Sequence, residues 1–231
     1  NRAILKYGEG GLELLTKKSV KSVLLSGRSP QQSGQQVIMK RILIVTGIFP
    51  PDIGGPASYT QALAKKLSAE NFKTTLITYS SVRKNLSDQK AKFKIFRIWK
   101  KMPWWWRHFS YAWRIFWEVR RHDVVYICST INGGLPSLIA GRLFKKKIFI
   151  KIVGDYSWQA AVEKGQTVLL IDDWQKAHKS GWPKWLWRLQ SWVVRKSDGI
   201  IVPSQYLAKM VEGWGADPKN VFVIYNGTEF H

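Results

Sequence analysis

The stretch Arg41-Ile42-Leu43-Ile44-Val45-Thr46-Gly47-Ile48-Phe49-Pro50-Pro51-Asp52-Ile53-Gly54-Gly55-Pro56-Ala57-Ser58 decides how this chain folds. Ile42–Thr46 is an unbroken apolar run that closes on a threonine, the pattern of a strand buried on both faces. A turn rich in Gly and Pro follows. Pro56–Ala69 then repeats its apolar residues with a helical period, placing Ala62, Leu63 and Leu67 on one side. A buried strand, a glycine turn and an amphipathic helix make the first unit of a parallel α/β fold.

The unit recurs downstream. Strands are expected at Thr74–Thr78, Lys94–Ile98, Val124–Cys128, Ile148–Val153, Gly199–Val202 and Val221–Ile224. Helices are expected at Trp104–Arg121, Leu135–Phe144, Pro183–Lys196 and from an N-cap at Ser204 to about Glu212. Residues 154–182 read as irregular. The alternation predicts one parallel sheet with helices on both faces and right-handed crossovers. Ligands of such sheets sit beyond the C-terminal strand ends. Functional residues are therefore expected in the loops at 47–56, 129–134, 154–158 and 203–204.

Composition bounds the rest. The 231 residues, 45% of them apolar, suffice for one large domain with a core. Cys128 is the single cysteine, which excludes an intrachain disulfide and fits a reducing compartment. No apolar run reaches the ~18 residues that span a bilayer, and no signal-peptide stretch opens the chain. Lys and Arg number 37 against 15 acids, a net charge of +22, and there are 13 Trp. A basic, Trp-rich protein calls for an anionic partner: a nucleic acid, an acidic membrane surface or a phosphorylated substrate. Residues 1–38 end in a polar run, Ser29 to Gln36, and read as a disordered or non-native extension ahead of Met39. They hold six cations and two acids, so +18 of the charge belongs to the main body.

Several motifs offer chemistry. Gly54 and Gly55 let backbone approach a ligand, the following helix start presents N–H groups to an anion, and Ser58 adds a hydroxyl. The same turn also serves a plain strand-to-helix connection. In Gly154-Asp155-Tyr156-Ser157-Trp158, Asp155 can orient a substrate hydroxyl or act as a base, or simply cap the next turn. Asp172-Asp173 reads as a solvated loop or cap. The histidines at 108, 122, 178 and 231 lack metal-ligand spacing, and no metal is expected. His122 reads as structural and Cys128 as a small buried hydrophobe. In Trp104–Trp117, the residues Trp105, Phe109, Ala112, Trp113 and Phe116 share a face expected to pack on the sheet. Trp104, Trp106 and Trp117 flank it near Lys100, Lys101, Arg107 and Arg114, a mixture suited to an anionic headgroup layer or to base stacking. The sequons Asn85-Leu86-Ser87 and Asn226-Gly227-Thr228 read as chance matches.

Three segments taken in order carry a family resemblance. They are Arg41–Val45 through Phe49-Pro50-Pro51-Asp52-Ile53-Gly54-Gly55, then Lys151–Trp158, then Ser197–Ser204 through Val223-Ile224-Tyr225-Asn226-Gly227. Over residues 40–230 the chain resembles the N-terminal half of a GT-B glycosyltransferase of the group 1, family 4 type. The resemblance implies a Rossmann-like domain on the acceptor side, over residues 39–225, facing a second domain that binds a nucleotide-sugar. It implies transfer with retention and without a metal, and an acceptor that can be lipid-linked. It places Gly54 and Gly55 against the donor phosphate or the acceptor, and Asp155 facing the reacting sugar where many members carry His. Asn226-Gly227 matches the crossover into the donor domain, which the remaining residues to His231 are too few to supply. A peripheral position on the cytoplasmic leaflet is the matching expectation for the basic surface. A nucleic-acid-binding module, or half of a GT-B sugar-nucleotide epimerase, is the alternative.

Overall fold

The computed structural model describes residues 40–225. The expectations for residues 1–38 and for the crossover at 226–231 lie outside them. The chain runs β1 (Arg41–Thr46), α1 (Gly55–Ala69), β2 (Lys73–Ser80), a short 3₁₀ turn at Leu86–Lys90, β3 (Lys94–Trp99), α2 (Trp104–Arg121), β4 (Val124–Ile127), α3 (Gly134–Leu143) and β5 (Lys147–Lys151). It continues through α4 (Tyr156–Glu163), α5 (Ile171–Lys176), α6 (Gly181–Lys196), β6 (Gly199–Val202), α7 (Gln205–Gly213), a 3₁₀ turn at Pro218–Asn220 and β7 (Val221–Val223). The seven strands form one parallel sheet in the order β3-β2-β1-β4-β5-β6-β7. This is the expected Rossmann-like α/β architecture.

Strand alternation divides the apolar residues between two faces. Leu43, Val45, Ile77, Val125, Ile127, Ile148, Ile150 and Val202 turn to one side and pack under α2, α3, α6 and α7. Ile42, Ile44, Leu76, Tyr126 and Phe149 turn to the other, where α1 contributes Leu63, Ala64 and Leu67. The asymmetry follows from topology. With right-handed crossovers, the leftward step from β1 to β2 puts its helix on one face, and every rightward step from β3 onward puts its helix on the opposite face.

Segment 154–182 differs from the expected irregular stretch. It folds into α4 and α5, of eight and six residues, too short for helical periodicity to register. Helix α2 carries the larger correction. Its buried residues are Tyr111, Ile115, Glu118 and Val119, while Trp105, Phe109 and Trp113 are more than half exposed. The aromatic face therefore points away from the sheet. Tyr111 decides the orientation: its ring stacks on Tyr79 at 4.1 Å, and its hydroxyl donates to the Thr46 carbonyl at 2.7 Å. That carbonyl ends β1, which needs an internal donor where the ladder stops. His122 is buried, its Nδ1 2.6 Å from the Glu118 carbonyl, a structural place as expected.

Candidate functional site

The order of strands reverses between β1 and β4, so the loops leaving these two strands part and open a crevice at the sheet's C-terminal edge. A cavity of about 190 Å³ lies there, lined by Gly55, Pro56, Tyr59, Cys128, Lys151 and Val153. Each comes from the end of a strand or the start of a helix: Gly55 to Tyr59 from α1, Cys128 from the end of β4, Lys151 and Val153 from the end of β5.

The glycine turn opens onto this space. A Cβ added to Gly55 would meet nothing within 4 Å, whereas one at Gly54 would come 3.2 Å from Ile48 Cδ1. Gly55 is thus the open position, and Gly54 and the exposed Ser58 sit beside the cavity without lining it. The helix start offers fewer donors than expected. Pro56 has no N–H, and the N–H groups of Ala57 and Ser58 donate to the Gly54 carbonyl at 2.9 and 3.2 Å. Among the described residues the Gly55 N–H meets no backbone acceptor outside the helix, so it can serve a ligand.

The turn is held from below by the far end of the sheet. The buried Arg97 of β3 donates to the Pro50 carbonyl at 2.7 Å, to the Ser80 hydroxyl at 2.9 Å and to both Asp88 oxygens. Asp52 accepts from Lys100 Nζ at 2.7 Å and from the Ser81 N–H and hydroxyl. Burial alone would raise the Asp52 carboxyl, but the Lys100 ammonium and the Ser81 donors hold it below its ordinary value.

Lys151 is the charged group of the cavity and was not among the expected site residues. It is 6% exposed and its ammonium lies 3.3 Å from the Tyr59 ring centroid, a close cation–π contact. Burial lowers it to about 8, with Cys128 opposing. The Cys128 thiol is pushed up to about 12 by burial, although Lys151 pulls it down. At neutral pH the pair is therefore a cation beside a neutral thiol. Tyr59 and Tyr126 share a 2.8 Å hydroxyl–hydroxyl bond, and burial drives both phenols up, so they stay neutral. A cation withdrawn from water attracts an anionic oxygen more strongly than one on the surface. Cys128 packs against the core as expected and also forms a wall of the cavity.

Asp155 is a correction. It does not reach the cavity: the side chain is buried and caps α4, accepting the Trp158 N–H at 3.0 Å. Its Oδ1 also accepts from Ser157 Oγ at 2.6 Å and Gln190 Nε2 at 2.8 Å, and its Oδ2 from Gln175 Nε2 at 2.7 Å. With both oxygens engaged inside the protein, the carboxylate orders α4, α5 and α6 rather than meeting a substrate. Gln175 passes the network on, accepting from Trp214 Nε1 at 2.9 Å. The loop at 129–134 also serves packing, since Cβ atoms at Gly133 and Gly134 would strike Val45 and Val193. Ser204 caps α7, accepting from the Leu207 N–H. Asp172 and Asp173 lie exposed in the first turn of α5, where Asp172 accepts from the Tyr206 hydroxyl. Among the described residues no three His, Cys, Asp or Glu side chains gather as metal ligands, and no helix is long and apolar enough to cross a membrane.

Comparison with known proteins agrees with this fold. The sequence profile of Glycosyltransferase Family 4 matches residues 53–230. No curated protein sequence matches the chain. Among solved structures, Anabaena Alr3699/HepE in complex with UDP superposes with a TM-score of 0.56 at 13% identity, over 82% of this chain and 44% of that one. The lipopolysaccharide outer core galactosyltransferase WaaB, in its apo form, gives 0.52 at 12% identity, over 81% and 46%. LpCGTa in complex with UDP gives 0.50 at 10% identity, over 83% and 53%. This chain spans about half the length of these proteins, and the likeness is one of fold. The profile match, which covers most of the sequence and includes the glycine turn and the cavity-lining strand ends, decides the assignment: the chain belongs to glycosyltransferase family 4.

Proposed function

We propose that the chain forms the acceptor-side half of a retaining, nucleotide-sugar-dependent hexosyltransferase whose acceptor is lipid-linked. In this reading the acceptor oxygen bonds to the anomeric carbon, the bond from that carbon to the nucleoside diphosphate breaks, and the diphosphate leaves with the electron pair. The acceptor hydroxyl gives its proton to an oxygen of the departing diphosphate. No metal is invoked. Gly55 gives the substrates room, the Gly55 N–H and Ser58 hydroxyl are donors at the crevice, Gly54 shapes the turn, and Lys151 holds an anionic oxygen of donor or acceptor phosphate. Joining donor and acceptor in reacting geometry needs a second domain across the crevice.

The observation that carries the proposal is the buried Lys151 ammonium beside the open Gly55, at the C-terminal strand ends near the point where the strand order reverses. The neighbours that hold UDP, Alr3699/HepE and LpCGTa, lend support through their shared fold. The test uses the longest protein the gene encodes and follows nucleoside diphosphate release from a panel of nucleotide-sugars with polyprenyl-phosphate-linked acceptors. Gly55→Trp fills the crevice from an exposed position, so it abolishes transfer while leaving the melting temperature unchanged. Full turnover by that variant refutes the site.

A further inference from the structure

The outer face of α2 is an aromatic ladder whose Trp105, Phe109 and Trp113 are left exposed among the described residues. Trp105 and Trp106 stack at 4.7 Å, Trp106 meets Phe109 at 5.9 Å, Phe109 stacks on Trp113 at 6.0 Å, and Trp113 on Phe116 at 6.5 Å. The ladder runs roughly 16 Å along the helix, from the rise of about 1.5 Å per residue, and ends against Phe144 after α3. Trp105, Phe109 and Trp113 are 59%, 55% and 53% exposed, and Leu143 at the end of α3 is exposed as well. On α6 a second pair, Trp182 and Trp185, stacks at 5.0 Å and is also exposed. Helix α2 begins just after β3 ends, and α6 runs back to the start of the parallel strand β6, so Trp104–Trp106 and Trp182–Trp185, in the first turns of these helices, lie toward the C-terminal edge of the sheet on which the crevice opens.

The charge on these helices has one sign. Helix α2 contains Arg107, Arg114, Arg120 and Arg121, α3 contains Arg142, and α6 contains Lys184, Arg188, Arg195 and Lys196. Their single acid is Glu118, which is buried. A second copy of the chain would bring like charges together, which opposes pairing. Single-stranded nucleic acid binds by stacking bases on open ring faces. Here Trp105 with Trp106 and Trp182 with Trp185 stack closely on each other, so one face of each of these four rings is already covered. A bilayer headgroup layer accepts ring edges and indole N–H groups and welcomes Arg and Lys on long stems.

We infer that the aromatic faces of α2 and α6 dock the protein on an anionic lipid surface, with the crevice rim at the membrane. The inference stands apart from the transfer reading, because vesicle binding reads no sugar chemistry. The test is flotation of the 231-residue chain with vesicles of phosphatidylglycerol mixed with phosphatidylcholine, and of phosphatidylcholine alone. The chain floats with the anionic vesicles, and high salt weakens the binding. The double variant Trp105→Ala/Trp113→Ala lowers the partition coefficient about tenfold or more, since two interfacial rings are removed, and keeps the parent's circular dichroism and melting temperature. Arg120→Gln/Arg121→Gln lowers binding and flattens its salt dependence. Brominated acyl chains quench the tryptophan fluorescence of the parent protein, which tests the inference even if a variant misfolds. Unchanged flotation of the Trp variant, absence of quenching, binding of an oligonucleotide in place of vesicles, or a dimer that the Trp variant dissolves would each overturn it.

Discussion

Replacing Lys151 by Met tests the electrostatics of the cavity directly. In the folded protein burial lowers the Lys151 ammonium from 10.5 to about 8, a difference worth ~3 kcal/mol between the charged and neutral forms. The sign follows from proton counting. Below about pH 8 both folded and unfolded chains hold the proton, and folding bears the full cost of burying it. Between about 8 and 10.5 the unfolded chain still binds the proton while the folded chain has lost it, so stability rises with pH. Above 10.5 neither holds it and the cost is gone. Lys151→Met removes this contribution and leaves other titrating groups in place. The difference in unfolding free energy, native minus variant, therefore climbs by ~2 kcal/mol or more from pH 7 to pH 10. Urea unfolding followed by circular dichroism at several pH values measures it. Inorganic pyrophosphate, added at pH 7, shrinks the gap if the ammonium is an anion site, because an anion held by the charged form raises the folded-state value back toward 10.5. Parallel stability profiles for the two proteins would refute the reasoning, since they would mean that the ammonium is as well solvated in the folded protein as in the unfolded one.

Two further substitutions probe the scaffold of the site. Arg97→Met leaves Asp88 and the Pro50 carbonyl without their buried donor and costs ~3 kcal/mol, as breaking one side of a buried ion pair does; a melting temperature unchanged by this variant contradicts the clamp. Asp155→Ala removes the cap of α4 and strands the donors of Ser157, Gln175 and Gln190, lowering stability by about 3 kcal/mol; loss of turnover with undiminished stability would instead return Asp155 to a chemical role.

Much of the sheet was readable because buried parallel strands leave continuous apolar runs, as in Ile42–Val45 and Ile200–Val202. The sequence locates helix α2 but not which of its faces meets the sheet. Its sequence has two apolar faces, one through Tyr111, Ile115 and Val119, the other through Trp105, Phe109 and Trp113. Side-chain size favours the second, but the hydroxyl bond from Tyr111 to Thr46 and its stacking on Tyr79 select the first, and neither partner is near in sequence. The glycine turn was placed correctly at the strand ends. Lys151 carries no signal in the sequence, because a lysine closing a strand reads as the point where the chain meets water. Its burial depends on Tyr59 arriving from α1, 92 residues earlier in the sequence, and on Cys128 from β4. For Asp155 the spacing to Trp158 already allowed a cap, but Gln175 and Gln190 come from helices that periodicity could not join to it.

Arg97 and Lys100, which anchor the glycine turn, belong to β3 and the residue that follows it, and β3 is the outermost strand of the sheet. A margin strand has one neighbour and opens more readily than the centre. The rigidity of the turn is then limited by the sheet's border, and deuterium uptake along Lys94–Trp99 should rise and fall with the mobility of Pro50–Gly54.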